Sequence, residues 1–131
     1  MTQKITLSMD HNHKFTSTDG RTANDLNPKE LLIYASAECL GKTLISLLKD
    51  RITEAKTMEI SIEGTLSTPS MVAESIFTKF HVRYHIECHT LKGQEVISRA
   101  VNLAQDKYCG MLQMLQKIAP LSHETAIVTT D

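Results

Sequence analysis

The stretch from residue 28 to about 50 constrains this chain more than any other. Leu31, Leu32, Ile33, Ala35, Ala37, Cys39, Leu40, Leu44, Ile45, Leu47 and Leu48 recur so densely there that, wound as an α-helix, they cover most of its circumference. A helix that is apolar nearly all round is a buried helix. Its start is marked by Asn27 as N-cap, Pro28 at the first helical position and Glu30 where a capping box needs its acid. Lys49, Asp50 and Arg51 mark its return to solvent.

The flanking segments have the period of strands. Ile5, Leu7 and Met9 alternate with Lys4, Thr6 and Ser8, and a short extended piece is expected around His13 to Thr16. Asp19-Gly20 signals a turn that leaves Arg21 just beyond it. Met58, Ile60 and Ile62 alternate with polar residues, residues 67–76 read as a connection, and Phe80, Val82, Tyr84, Ile86 and Cys88 form the apolar side of the clearest strand. After Lys92-Gly93, the spacing of Ile97, Ala100, Ala104, Tyr108, Met111, Leu115 and Ile118 predicts a second long helix, weakened at Gly110 and ended by Pro120. Thr125 to Thr130 is read as a last strand. Strands, long helix, strands, long helix and strand make an α+β fold, with antiparallel pairing expected.

With 131 residues the chain is read as one domain, 1–131. A net charge of −1 with both signs scattered argues against a nucleic-acid face. No run of about 18 apolar residues argues for a membrane span, and the residues after Met1 do not form an apolar signal region, so a cytoplasmic location is expected. Three cysteines do not make a disulfide scaffold, and in a reducing compartment they start as thiols.

Two of those thiols, Cys39 and Cys109, sit in separate helical stretches. Each is either a small apolar residue packed in a core or one half of a pair that cycles between dithiol and disulfide without a cofactor. Gly110 could open the helix beside Cys109, and a helix N-terminus there would lower its thiol pKa. Cys88, on the apolar side of its strand, is read as core. The histidines, including His11, His13, His81 and His85, are read as surface residues, since no Cys-x-x-Cys or His-Glu-x-x-His spacing supports a metal site.

Taken together, Asn27-Pro28 leading a helix with Leu31-Leu32 and Cys39, and Tyr108-Cys109 followed by Met111-Leu112 and Met114-Leu115, resemble the OsmC/Ohr family (osmotically inducible protein C and organic hydroperoxide resistance proteins). The resemblance extends more weakly over the strands between and over Asp19-Gly20-Arg21. It implies an intertwined homodimer with two long central helices per chain, packed with antiparallel sheets and with sites at the dimer interface. It also implies a thiol peroxidase for small organic hydroperoxides. In that chemistry Cys39 attacks and becomes a sulfenic acid, Cys109 resolves it as a disulfide, and Arg21 and Glu30 activate the thiolate. An external small dithiol, and no bound cofactor, returns the enzyme to its starting state.

The chain departs from the peroxidase-type members at Lys29, where they carry glutamate, at Gly110, where proline is frequent, and at Leu40, where Phe or Thr is frequent. Glu30 and Cys39 are nine residues apart, so on one straight helix they lie about 13.5 Å apart along the axis and on opposite faces. Glu30 therefore either caps its helix or acts on a thiolate, which then belongs to a partner chain unless the helix start bends. Arg21 is either a solvated loop arginine or part of that site. The alternative to a peroxidase is a non-catalytic dimer of the same fold that holds a small apolar ligand at its interface.

Overall fold

A computed structural model describes residues 1–130. Strands β1 (Thr2–Met9) and β2 (Phe15–Ser17) are followed by helix α1 (Pro28–Leu48), strands β3 (Ala55–Leu66) and β4 (Phe77–Cys88), helices α2 (Leu91–Leu103) and α3 (Gly110–Ile118), and strand β5 (Leu121–Thr129). The strands form one five-stranded sheet in the order β2-β1-β3-β4-β5. The helices lie across one of its faces.

Register follows the alternation of apolar residues. Leu7, Ile60 and Tyr84 stand side by side across β1, β3 and β4, as do Ile5, Ile62 and Val82. All are buried. The opposite face carries Lys4, Glu63 and His81 in one row and Thr6, Ser61, Arg83 and Glu124 in the next. A slip of one residue would turn the whole apolar set to water, so the pattern fixes the pairing.

β5 departs from the sequence reading in two ways. It starts at Leu121, and it runs parallel to β4, whereas the other strand pairs are antiparallel. A chain that leaves β4, crosses the sheet face through two helices and returns to the neighbouring position arrives in the same direction. β5 is mostly exposed on both faces, which is why its apolar alternation is weak and its first residues escaped notice.

α1 begins with the expected capping box: the Glu30 amide donates to the Asn27 side chain (2.8 Å) and the Asn27 amide donates to the Glu30 carboxylate (3.1 Å). Ile33, Ala37, Leu40, Leu44 and Leu48 pack into the core. Gly41 lets the helix sit against Phe15 of β2, where an added Cβ would fall 2.5 Å from the ring. The expectation of burial all round does not hold in the single chain. Leu31, Leu32, Cys39, Ile45 and Leu47 are only half-buried, so one apolar side of α1 is left partly open. Within Pro28–Glu54 an 18-residue window reaches a mean hydropathy of 1.5, long and apolar enough by length and composition to cross a bilayer, but one side of the helix is packed in the core.

The second helical stretch is not continuous. α2 stops at Leu103, a single wide turn of π type occupies Ala104–Tyr108, and Cys109 is extended (φ −86°, ψ 99°) before α3 restarts. The apolar spacing survives this break, except that Tyr108 and Ile118, expected on the core side, are about half exposed.

Candidate redox site

α1 and the break between α2 and α3 bring the two sulfurs together. The Cys109 thiol donates toward the Cys39 Sγ at 3.8 Å. Both are free thiols at this distance, since a disulfide needs about 2.05 Å. Cys39 is half-buried at the edge of a shallow groove of about 520 Å³ that also touches Ala35, Glu38, Lys42, Leu47 and Tyr108. Cys109 is completely buried.

That burial decides the state of Cys109. Its thiol is pushed up to about 11 by loss of solvent first and by the neighbouring Cys39 sulfur, against the opposing pull of the Leu112 and Met111 amides at the head of α3. The helix does open at Cys109 as Gly110 suggested, but the expected lowering of the thiol pKa does not follow. Desolvation outweighs the helix end. At neutral pH Cys109 is therefore a protonated donor and Cys39 its acceptor. Gly110 itself is not sterically required, for a Cβ there would meet nothing within 4 Å.

The turn that carries Cys109 rests on residues that sequence reasoning missed. The Cys109 amide donates to the Ala104 carbonyl five residues back (3.0 Å). The Tyr84 hydroxyl of β4 donates to Gln105 Oε1 at 2.5 Å, and Gln113 Nε2 of α3 donates to the Gln105 carbonyl at 3.1 Å. Gln105 is 3% exposed and Tyr84 1%. The available signal was Tyr84 itself, a hydroxyl on an apolar strand face that needs a partner once buried.

Arg21 and Glu30 form a second cluster. Arg21 Nη1 donates to Glu30 Oε2 and Arg21 Nε to Asp19 Oδ2, each at 2.8 Å. The two carboxylates, Glu30 first, raise the guanidinium pKa. Asp19 is held down to about 2 by the Ser17 hydroxyl, by the Arg21 amide and by the Arg21 side chain. Asp19 was read only as a turn former, and its role as the outer arm of this cluster was not seen. The same Glu30 that caps α1, as one reading had it, thus also grips Arg21 of its own chain. Because α1 is unbroken from Pro28 to Leu48, Glu30 stays about 13.5 Å along the axis from Cys39 of its own chain. Within one chain the sulfur pair and the Arg–Glu pair are separate.

Lys29, in the position where peroxidase-type relatives are expected to carry glutamate, reaches away to the 67–76 connection. Its Nζ donates to the carbonyls of Val72 and Ala73, both at 3.2 Å. Cys88 is buried, as expected, with its thiol 3.3 Å from the Thr90 carbonyl and 3.4 Å from that of Val128. His11, His13 and His85 are exposed, and His81 is tied to Ser122 and Glu124 on the outer sheet face.

The chain is similar to protein YhfA of Escherichia coli strain K12, at 24% identity over 102 residues, covering 78% of this chain and 73% of that one. Its fold matches the crystal structure of an OsmC-like protein from Mycoplasma pneumoniae (TM-score 0.62, 12% identity, 98% of this chain and 96% of the other). It also matches a hypothetical protein from Aquifex aeolicus VF5 (TM-score 0.58, 22% identity, 97% and 96%). Residues 20–124, which contain both cysteines, Arg21 and Glu30, match the family model described as OsmC-like protein, and the chain belongs to that family.

Proposed function

We propose that this protein is a cysteine-based thiol peroxidase that reduces small organic hydroperoxides. The observation that carries the reading is the 3.8 Å approach of a half-buried cysteine at a groove to a fully buried, protonated one. The Cys39 thiolate attacks the distal peroxide oxygen; the O–O bond breaks, Cys39 becomes a sulfenic acid, and the alkoxide takes a proton and leaves as the alcohol. Cys109 then attacks the sulfenic sulfur, the S–O bond breaks, and water departs with the Cys109 proton. An external dithiol reduces the Cys39–Cys109 disulfide and is itself oxidised to a disulfide. The active unit is a homodimer in a reducing, cytoplasmic setting. Its second copy covers the open side of α1 and brings its own Arg21–Glu30 pair toward Cys39. The apolar residues around the Cys39 groove favour alkyl and aryl peroxides over hydrogen peroxide.

The test is consumption of cumene hydroperoxide with a dithiol present. Wild type is expected to turn over, Cys39→Ser to be inactive, and Cys109→Ser to be oxidised once without recycling. Equal rates for wild type and Cys39→Ser would overturn the proposal.

Lys29 favours a second reading. Its charge occupies the position of the activating acid and is engaged with backbone carbonyls of a loop. A chain adapted in this way could keep the fold and hold a small apolar ligand at the dimer interface without chemistry. Slow reaction of Cys39 with thiol reagents in the native protein would support that reading over the first.

A further inference from the structure

A buried polar pair, Tyr84 and Gln105, joins the sheet to the helical turn four residues before Cys109. We propose that Tyr84 and Gln105 are positioning residues that hold Cys109 within bonding reach of Cys39, so that the disulfide-forming step depends on them. This rests on the dithiol chemistry proposed above.

Gln105 lies within the wide turn and is buried. Both ends of Gln105 are then held. Its side-chain oxygen accepts the Tyr84 hydroxyl (2.5 Å), and its carbonyl, released from regular helix, accepts the Gln113 side chain (3.1 Å). Tyr84 lies in the middle of the sheet, with Ile60 on one side and Thr125 on the other. Burial first, and then the neighbouring Cys109 and Asp106, raise its phenol pKa, so it remains a hydroxyl donor.

The tether therefore references the Cys109 turn to the sheet. Cys39 is referenced to the same sheet, because Ile33, Ala37, Leu40 and Leu44 of α1 are fully buried in the core that covers it. Between the two sulfurs only the closure from 3.8 Å to about 2.05 Å remains. Without the tether, a turn that already lacks regular helix bonds is free to drift. The step at stake is the attack of the Cys109 thiol on the Cys39 sulfenic acid, which forms the S–S bond and releases water. Peroxide attack at Cys39 takes place in the groove, which Tyr108 at the end of this turn lines but Tyr84 and Gln105 do not.

Tyr84→Phe leaves Gln105 Oε1 buried without its donor, which costs stability as well as position. The double variant Tyr84→Phe/Gln105→Met removes both polar groups and is expected to recover most of that stability without restoring the tether. The full-length protein is mixed rapidly with one equivalent of cumene hydroperoxide. Cys39 sulfenic acid is trapped with dimedone, and the Cys39–Cys109 disulfide is followed by non-reducing mass spectrometry. Both variants are expected to form the sulfenic acid at the wild-type rate and the disulfide about tenfold more slowly. Wild-type disulfide rates in both variants would overturn the proposal. So would a double variant that regains the wild-type rate together with its melting temperature, since the effect would then be one of stability alone. If wild type forms sulfenic acid or no oxidised cysteine at all, but never the disulfide, the peroxidase reading fails and this inference fails with it.

Discussion

The thiol of Cys109 points at the sulfur of Cys39 across 3.8 Å, although the two residues are 70 positions apart in the chain. One is reachable from a groove and the other is sealed. Burial thus leaves Cys39 as the sulfur that meets the groove.

The buried thiol links stability to pH. Cys109 is pushed up to about 11 in the folded protein from an ordinary value of 9.0. Between those values the unfolded chain has released its proton and the folded chain has not. Stability from this group is fully present below about pH 9 and is lost as pH rises through about 11, a loss on the order of 2 kcal/mol. Urea unfolding of reduced wild type and Cys109→Ala between pH 8 and 11 checks this. Wild type should lose more stability than the variant across that window, and parallel curves would contradict the burial argument.

Glu30 has two tasks that substitution can separate. Glu30→Gln keeps an oxygen for the Asn27 amide but removes the charge facing Arg21. It should cost less than about 1 kcal/mol of stability, whereas Glu30→Ala loses cap and partner together and should cost about 1–2 kcal/mol. If the pair of a second copy assists Cys39, both variants should lose peroxidase activity despite their different stabilities. Full activity in Glu30→Gln would reduce Glu30 to a cap.

Gly110 stands at the first position of α3, where proline is well tolerated. An added Cβ meets nothing there. Gly110→Pro should therefore stabilise the protein by about 0.4–1 kcal/mol, mainly by restricting the unfolded chain. Thermal unfolding of the reduced protein measures it, and a lower melting temperature would show that the break needs glycine after all.

Much of this was legible because the core is aliphatic and strictly periodic. The alternation in β1, β3 and β4 fixed their faces, and Asn27, Pro28 and Glu30 fixed the start of α1. The break at Cys109 was visible only as a weak glycine signal, because a π turn preserves apolar spacing closely enough to look like continuous helix. The direction of β5 depends on the path of two helices over the sheet, which local pattern does not encode. Arg21 drew attention only through family likeness, since its partner Glu30 lies beyond a turn and already had a role as a cap. Tyr84 and Gln105 were unremarkable apart and acquire meaning only when the fold brings them to 2.5 Å.

The most direct measurement is the mass of the oxidised product. Reduced protein is treated with one equivalent of cumene hydroperoxide, digested without reductant and searched for cross-linked peptides. The expected result is one Cys39–Cys109 disulfide, with Cys88 left as a free thiol. Three free thiols after exposure, or a cross-link that includes Cys88, would contradict the assignment of Cys39 and Cys109 as the redox pair.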